Sequence, residues 1–269
     1  MITISSRHNP FVQQCRDLAR RRDSQHGEVL LDGLHLLSDA LAARVPVTAA
    51  AASEAFWDSP VGAPLARALA SAGALLYSAS PAVLDAASPV KAPTGIVAIA
   101  RWRPTEVAAV LRPQPALVVA AVQVQDPGNV GAIIRAADAA GATGVIVTAG
   151  SADPFGWKAL RGSMGSAFRL PVAVGAPTAE VCRDARERGV RVISTSTAGG
   201  RGIHDTDLTG PVLLLVGGEG AGLPEDIRAG ADELVTIPMR APVESLNVAV
   251  AAGVMLYEAY RQRRAGARP

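Results

Sequence analysis

The chain has 269 residues, of which 49% are hydrophobic, and a formal net charge of +2 at pH 7, a weakly basic balance that permits a polyanionic partner without requiring one. A chain of this length can bury a stable hydrophobic core without disulfides or a structural metal ion. Cys15 and Cys182 are far apart in sequence and belong to no Cys-x-x-Cys or Cys/His cluster, so we expect neither a disulfide framework nor a metal site. Arg7 precedes any long apolar segment, and no apolar run approaches the ~18 residues of a membrane span, which predicts a soluble, cytoplasmic protein without membrane contact.

The first hundred residues alternate helical and strand-like patterns. Asn9 and Pro10 predict a helix start, an N-cap followed by proline at the first helical position, and this helix ends in the arginine run at 20–22. Apolar periodicity predicts the other elements, which are strands at 28–33, 47–51, 74–77 and 95–100 and helices at 35–44 and about 64–72. The pattern indicates a small α/β module.

A proline-containing stretch from Trp102 to Pro115 precedes a strongly apolar strand and is the best linker candidate. We therefore place a first domain at residues 1–108 and a second at 109–269.

The second domain shows short apolar strands alternating with helices. The strands are expected at 116–122, 144–148, 190–194, 212–216 and 234–237, and the helices at 130–140, 178–188 and 245–261. This alternation predicts an α/β fold with a mainly parallel sheet covered on both faces. Ligands of such sheets bind at the carboxyl ends of the strands.

Polar, glycine-rich segments follow three of these strands. In the first, residues 125–135, Asn129 stands at an expected N-cap and Arg135 projects away from the buried stripe of the helix. By itself, this pattern is also that of an ordinary capped helix with a solvated arginine.

The other two segments are 216–224 and 237–253. Glu219 lies among glycines that let backbone N–H groups approach a ligand, and a carboxylate there needs hydrogen bonds or a cation when desolvated. Ser245 and Asn247 begin a long helix, where a hydroxyl and an amide are also common capping groups.

In this order and spacing, the three segments resemble the three motifs of the SpoU/TrmH branch of the SPOUT methyltransferases. The stretches are D-P-G-N-V-G-A-I-I-R-A-A-D-A-A-G at 126–141, L-L-L-V-G-G-E-G-A-G-L at 213–223 and I-P-M-R-A-P-V-E-S-L-N-V-A-V-A at 237–251. K-A-L-R-G-S-M-G-S-A-F at 158–168 resembles the branch's R-x-S-x-G-A-x-F stretch. The N-terminal module, with Asn9-Pro10, Asp32-Gly33 and Ser88-Pro89-Val90, is similar to the family's L30e-like RNA-binding domain.

The resemblance implies a C-terminal trefoil knot, a homodimer formed through the C-terminal domain, and transfer of a methyl group from S-adenosylmethionine to a ribose 2′-hydroxyl of RNA. It implies a catalytic role for Arg135, helped by other residues that orient it, bind the ribose and hold the knot loops, namely Asn129, Glu219, Ser245 and Asn247. It places the cofactor against the backbone of Gly217, Ile237 and Leu246 and against Thr195, Gly218 and Met239.

RNA contacts are expected from basic side chains of the N-terminal module and of the stretch at 158–168, because arginines grip phosphates. The residues are Arg7, Arg20, Arg21, Arg22 and Arg161. The type of N-terminal module favours 23S ribosomal RNA over tRNA as the substrate.

Two other classes of function stay open at this point. A non-catalytic RNA-binding or ribosome-assembly factor on the same scaffold is disfavoured by the presence of all five expected catalytic residues, namely Asn129, Arg135, Glu219, Ser245 and Asn247. A nucleotide-dependent enzyme of Rossmann type is disfavoured because Leu223 stands where the third glycine of the fingerprint belongs.

Overall fold

The computed structural model describes residues 1–21, 27–91, 94–197, 199–218 and 222–266, which form two compact units. The first unit comprises Met1–Arg103 and Phe155–Phe168, and the second comprises Pro104–Pro154 and Arg169–Pro269. The domain boundary predicted at residue 108 stays a prediction. Its closest counterpart here is the passage between the units at residues 103–104, and a second segment returns to the first unit at 155–168.

The first unit is built on a five-stranded sheet in the order β1-β4-β3-β5-β2. Its strands are β1 (Ile2–Ile4), β2 (Glu28–Asp32), β3 (Val47–Ala52), β4 (Leu75–Ala79) and β5 (Ile96–Arg101). Its helices are α1 (Pro10–Arg20), α2 (Leu34–Ala42), α3 (Glu54–Trp57), α4 (Gly62–Ser71), α5 (Pro81–Ala87) and α8 (Trp157–Ser163). β5 pairs antiparallel with β2 and β3, whereas β4 pairs parallel with β1 and β3.

The core of the first unit lies between the sheet and α1 with α5. Phe11, Val12, Cys15 and Leu18 form the buried stripe of α1, at the helical spacing that the sequence predicts. Asn9 is the N-cap, since its side-chain oxygen accepts a 2.9 Å hydrogen bond from the backbone N–H of Phe11. The predicted start of this helix is confirmed.

Residues 155–168 pack in the first unit although they follow the second unit's first strands in the chain. The indole of Trp102 lies against Phe155 and Phe168, with ring centroids 5.5 and 5.3 Å apart. Between them, α8 packs on β2, and Gly165 approaches Asp39 so closely that a Cβ there would lie 2.3 Å from the carboxylate. The apolar periodicity predicted no element here, because a seven-residue helix is too short to show one.

The second unit has a seven-stranded sheet in the order β10-β12-β9-β11-β6-β7-β8, and every pairing is parallel. Its strands are β6 (Leu117–Val122), β7 (Gly144–Val147), β8 (Val172–Val174), β9 (Arg191–Ser196), β10 (Arg201–Gly202), β11 (Val212–Gly217) and β12 (Glu233–Thr236). Its helices are α6 (Val107–Val110), α7 (Pro127–Ala139), α10 (Thr178–Glu187), α11 (Glu225–Ala229) and α12 (Val248–Gly266), with a 3-10 turn at Ile203–Asp205; α9 (Ser166–Arg169) leads in from the first unit. The predicted α/β fold with a mainly parallel sheet is confirmed, and the trefoil knot stays a prediction.

The central strands are buried, β6 along its whole length and β11 from 212 to 216, which explains why they appear in the sequence as continuous apolar runs. α7 and α12 pack against each other over one face of this sheet, while α10 lies in the cluster of the other face. Within the described ranges, no helix has both the length and the apolar character that crossing a membrane requires.

The C-terminal half of α12 is fixed by two charged side chains. The carboxylate of Glu258 is 7% exposed and accepts hydrogen bonds of 2.9 and 2.7 Å from Arg261 and 2.8 Å from Gln262. The hydrogen bonds from Arg261 are the main cause that lowers the pKa of Glu258 to about 2. Arg263 donates to four backbone carbonyls, those of Pro115, Ala116, Leu208 and Gly210. The end of α12 is thereby tied to the beginnings of β6 and β11.

Two predicted helix starts are wrong. α7 begins at Pro127 with Asp126 as its N-cap, whose Oδ1 accepts a 3.0 Å hydrogen bond from the N–H of Asn129, so Asn129 lies inside the first turn. α12 begins at Val248 rather than at Ser245, because the chain from 237 to 247 runs as an irregular loop that is exposed from 240 onward.

Candidate functional site

A cavity of about 390 Å³ opens in the second unit where β9, β11 and β12 end. These strands are parallel neighbours, so their carboxyl ends lie at one edge of the sheet, which is where sheets of this kind bind ligands. The volume is within the ~300–1,000 Å³ range of small-molecule and cofactor sites. The wall is formed by Thr195, Ser196, Thr197, Val216, Gly217, Gly218, Gly222, Leu223, Arg228, Val235, Ile237, Met239, Ser245, Leu246, Asn247, Val248 and Ala251.

All of the residues predicted to bind a cofactor lie in this wall: Thr195, Gly217, Gly218, Ile237, Met239 and Leu246. They come from three separate stretches of the chain. The hydroxyl of Thr195 donates a 3.0 Å hydrogen bond to the carbonyl of Leu215 in the neighbouring strand, which fixes its side chain at the end of β9. The cavity is therefore a joint product of the three strand ends and not of one loop.

Two glycines let the chain close up tightly beside the cavity. A Cβ at Gly217 would lie 2.3 Å from the backbone carbon of Gly222, and one at Gly218 would lie 2.2 Å from the carbonyl oxygen of Gln123. Both contacts are with backbone, which has no flexible end to move aside. Gly218 and Gly222 also pair as an isolated β-bridge. The glycines of this segment thus serve close packing of backbone against backbone.

Asn247 joins the first and third glycine-rich segments. Its side-chain oxygen accepts hydrogen bonds from the N–H groups of Ala249 and Val250, at 3.0 and 3.3 Å, as an N-cap does. Its side-chain nitrogen donates a 3.0 Å hydrogen bond to Oδ1 of Asn129. One side chain therefore both caps α12 and connects the two segments, so a capping role of Asn247 does not exclude a role in the site.

Arg135 and Ser245 are both exposed. Arg135 lies on α7, on the solvent side of the stripe formed by Val130, Ile133 and Ile134, and the cavity wall does not include it. Ser245 is part of the wall. The described residues of the predicted site thus divide into groups in the cavity wall and two side chains of α7 outside it, Arg135 and Asn129.

Two of the predicted residues, Glu219 and Arg22, lie outside the described residues. The other arginines predicted to contact RNA are exposed on the first unit: Arg7, Arg20, Arg21 and Arg161. Arg20 occupies the last turn of α1, a favourable place for a cation by itself. Burial raises the pKa of Asp32, although the hydrogen bond from Ser88 and the positive charge of Arg161 act in the opposite direction. The charge of Arg161 is therefore partly engaged by a carboxyl group of its own unit.

Sequence reasoning missed several residues of the wall, among them Ser196, Thr197, Arg228 and Val235. A signal was present for the first two, since they continue the run after Thr195 at a strand end. Arg228 stands in the five-residue helix α11, which has no periodicity that would orient it. Among the residues that the structure describes, no group of three or more His, Cys, Asp and Glu side chains is arranged to hold a metal ion.

Two family models match successive parts of the chain. The model of the SpoU rRNA Methylase family matches residues 116–257, and that of the MRM3-like substrate binding domain matches residues 9–98. An uncharacterized tRNA/rRNA methyltransferase of Synechocystis sp. is 34% identical over 274 residues, which cover 99% of this chain and 96% of that protein. The chain spans about half the length of the mycobacterial relatives that it matches, 51% in the case of the Mycobacterium ulcerans protein.

Solved structures resemble the whole chain. The AdoMet-bound rRNA methyltransferase from Sinorhizobium meliloti superposes with a TM-score of 0.85 at 32% identity, covering 96% of this chain and 97% of that one. The SpoU methyltransferase AviRb from Streptomyces viridochromogenes, in complex with the cofactor AdoMet, gives 0.86 at 32% identity, covering 96% and 99%.

Proposed function

Because this chain belongs to the SpoU rRNA methylase family, we propose that it transfers a methyl group from S-adenosylmethionine to a ribose 2′-hydroxyl of RNA, with 23S ribosomal RNA as the substrate. The observation that carries the proposal is the cavity at the ends of β9, β11 and β12, which gathers the second and third glycine-rich segments and is joined to the first through Asn247 and Asn129.

The composition of the wall fits S-adenosylmethionine. Apolar side chains of the wall that are not fully buried, such as Ile237, Met239 and Leu246, offer apolar surface to an adenine ring, while hydroxyls and backbone groups at the strand ends offer hydrogen-bond partners to the ribose and adenine edges. Gly217, Ile237 and Leu246 would hold the adenosyl part through their backbone, with Thr195, Gly218 and Met239 beside it. The bound cofactor supplies an electrophilic methyl group on a sulfonium.

The remaining task of the protein is to present a weak nucleophile correctly. A ribose 2′-hydroxyl reacts only when it is aligned with the methyl group and its proton is withdrawn. An arginine, whose pKa lies above ~12, is a poor base, but its planar guanidinium binds a phosphate strongly through two parallel hydrogen bonds. We assign to Arg135 the positioning of the target phosphate close to the reacting hydroxyl. Asn129, Ser245, Asn247 and Glu219 would orient this arrangement and hold the ribose.

The first unit would recognise the RNA. Residues 9–98 match the model of the MRM3-like substrate binding domain. We expect the RNA phosphates to be contacted by exposed arginines, namely Arg7, Arg20, Arg21 and Arg161, together with Arg22. The proposed division into a binding domain at 1–108 and a catalytic domain at 109–269 follows the same argument. Such contacts predict an RNA affinity that falls steeply with salt.

We also propose a homodimer formed through the second unit. Val250, Val254, Tyr257 and Tyr260 are 53, 36, 51 and 36% exposed. Their spacing places them on one face of α12. Large apolar side chains in a contiguous stripe on a helix mark an interaction surface, and a second copy of the chain is the partner we expect.

The test is transfer of labelled methyl from S-adenosylmethionine to separated ribosomal RNA and tRNA, with the wild type, Arg135→Ala and, as a matched control, Arg183→Ala, an exposed arginine of α10. We expect label in 23S RNA that survives alkaline hydrolysis as a dinucleotide, persists with Arg183→Ala and is lost with Arg135→Ala. Label confined to tRNA would reassign the substrate. Cofactor binding without transfer to any RNA would support the non-catalytic RNA-binding factor instead.

A further inference from the structure

Arg228 is the one charged side chain among the described residues of the cavity wall. The rest of that wall consists of glycines, aliphatic side chains, methionine and the neutral polar groups of Ser, Thr and Asn. A cation in a wall whose other described residues are uncharged favours an anionic group of the bound molecule beside it and disfavours a cationic one, since its partner Glu225 is not part of the wall. The wall therefore favours a ligand that places its anionic group beside Arg228.

The guanidinium has donors left for a ligand. Its Nη2 group contacts the carboxylate of Glu225, one turn earlier on α11, and within the described ranges no hydrogen bond is made by its Nε or Nη1 groups. The side chains of Arg228 and Glu225 are 41 and 73% exposed. Since an arginine presents five N–H donors in a fixed fork, a carboxylate can bind to the remaining ones while Glu225 holds the side chain in place.

The cofactor of the proposed function offers one anionic group. Its adenosine part is neutral, its sulfonium and ammonium groups are cationic, and the α-carboxylate of the methionyl part is the anion. We propose that Arg228 binds this carboxylate and so fixes the amino-acid end of S-adenosylmethionine. This inference rests on the proposed function.

The position of Arg228 favours the cofactor over an RNA phosphate as its partner. α11 packs against β9, whereas α7, with Arg135, follows β6. In the sheet, β11 separates β9 from β6. Arg228 therefore approaches the cavity from the side remote from α7, where the target phosphate is expected.

Two ligands of different length test the assignment without any methyl transfer. S-Adenosylhomocysteine keeps the carboxylate and the ammonium group, whereas 5′-methylthioadenosine lacks the whole amino-acid end. Their dissociation constants are measured by calorimetry, or by displacement of labelled S-adenosylmethionine, for the full chain, for Arg228→Gln and Arg228→Lys, and for Arg183→Gln as a matched loss of charge outside the cavity.

We expect Arg228→Gln to raise the dissociation constant of S-adenosylhomocysteine about fivefold to tenfold, as for loss of a partly exposed charge-assisted hydrogen bond. The dissociation constant of 5′-methylthioadenosine should change by less than about twofold, which is too little for a lost ion pair. Arg228→Lys should recover part of the loss, and Arg183→Gln should change neither ligand. Thermal unfolding of each variant shows whether the fold is intact.

Three results would overturn the inference. Equal weakening of both ligands would place the cation at the nucleoside end. Unchanged affinity for both would leave it without a role in cofactor binding. If binding of labelled 23S RNA, measured for the same variants, were the only affinity lost with Arg228→Gln, the cation would be assigned to a phosphate. In each case the wild type still binds S-adenosylhomocysteine, so the proposed function stands. A wild-type chain that binds neither S-adenosylmethionine nor S-adenosylhomocysteine would contradict the proposed function itself.

Discussion

The side-chain amide of Asn247 donates a 3.0 Å hydrogen bond to Oδ1 of Asn129, across 118 positions of sequence. The bond joins the first turn of α7 to the residue that precedes α12, and these two helices also pack along their length. Because Oδ1 of Asn247 is engaged with the N–H groups of Ala249 and Val250, the whole amide group is oriented. The start of α7 and the loop that forms one wall of the cavity are therefore held in a fixed relation.

Asn247→Asp separates the two roles of this side chain. A carboxylate still caps α12 and is favourable at a helix N-terminus, but it has no donor for Asn129. We expect a thermal midpoint close to that of the wild type and a fall of methyl transfer by about tenfold or more. Asn247→Ala, which loses both roles, should also lose about 1 kcal/mol of stability. Full transfer with Asn247→Asp would show that donation from position 247 to Asn129 is dispensable.

Arg135 should matter for transfer but not for stability or cofactor binding. It is exposed and outside the cavity wall, and surface substitutions usually change stability within about ±0.5 kcal/mol. We expect Arg135→Ala to lower transfer at least about a hundredfold, and Arg135→Lys to restore little because a lysine lacks the planar fork. S-Adenosylhomocysteine should bind all three proteins alike. A substantial recovery with lysine would indicate that charge alone suffices.

The N-cap rule locates a helix start correctly only when the right residue is chosen as the N-cap. Asn9-Pro10 and Asp126-Pro127 are the same pattern, an N-cap followed by proline at N1. The first was predicted correctly, whereas Asn129 was taken as the cap of α7 although Asp126 fulfils the rule better. The buried strands β6 and β11 were predicted because full burial leaves a continuous apolar run.

Other features depend on contacts distant in sequence and left no local signal. The return of residues 155–168 to the first unit rests on packing of Trp102 between Phe155 and Phe168, which no periodicity encodes. Arg228 lines the cavity from the five-residue helix α11, which is too short to show a periodicity. The predicted cofactor residues came from family resemblance, and their common cavity arises because parallel strands bring separate chain segments to one edge.

Gly218→Ala should disturb the cavity through backbone overlap. The added methyl group would lie 2.2 Å from the carbonyl oxygen of Gln123, so the chain must shift, at a cost of about 1–3 kcal/mol. We expect a lower free energy of unfolding together with weaker binding of S-adenosylhomocysteine. Gly210→Ala is the matched control, since a Cβ there meets nothing within 4 Å. If Gly218→Ala binds the ligand like the wild type, this close approach does not shape the site.

Glu258 should make stability depend on pH in the acid range. Its pKa is lowered from 4.5 to about 2 in the folded state, chiefly by the hydrogen bonds from Arg261, so the ionised form stabilises the fold. This stabilisation is complete above the unfolded value of 4.5 and is lost as the pH falls through about 2. Glu258→Gln should cost about 2 kcal/mol at pH 7, and the difference from the wild type should shrink between pH 4.5 and 2.

Urea unfolding at pH 7, 4 and 3 measures this difference. Glu187→Gln, at an exposed position of α10, serves as the control and should follow the wild type at each pH. A cost for Glu258→Gln that stays constant from pH 7 to pH 3 would contradict the proposed ionisation of Glu258.

The exposed stripe of α12 predicts the oligomeric state. Val254 lies between Val250 and Tyr257 on this face, and all three are at least 36% exposed, so burial against a second copy would gain apolar contact that the isolated chain lacks. Val254→Glu places a charge in the middle of the stripe, where desolvation in a dimer is costly, but leaves it in water in a monomer. We expect the wild type to sediment as a dimer at micromolar concentration and Val254→Glu as a folded monomer with unchanged far-UV circular dichroism.

Val61→Glu, at a position of the first unit that is 55% exposed, introduces the same charge on another surface and should remain dimeric. A monomeric wild type would remove the need for this interface, and a dimeric Val254→Glu would move it to another face of the second unit.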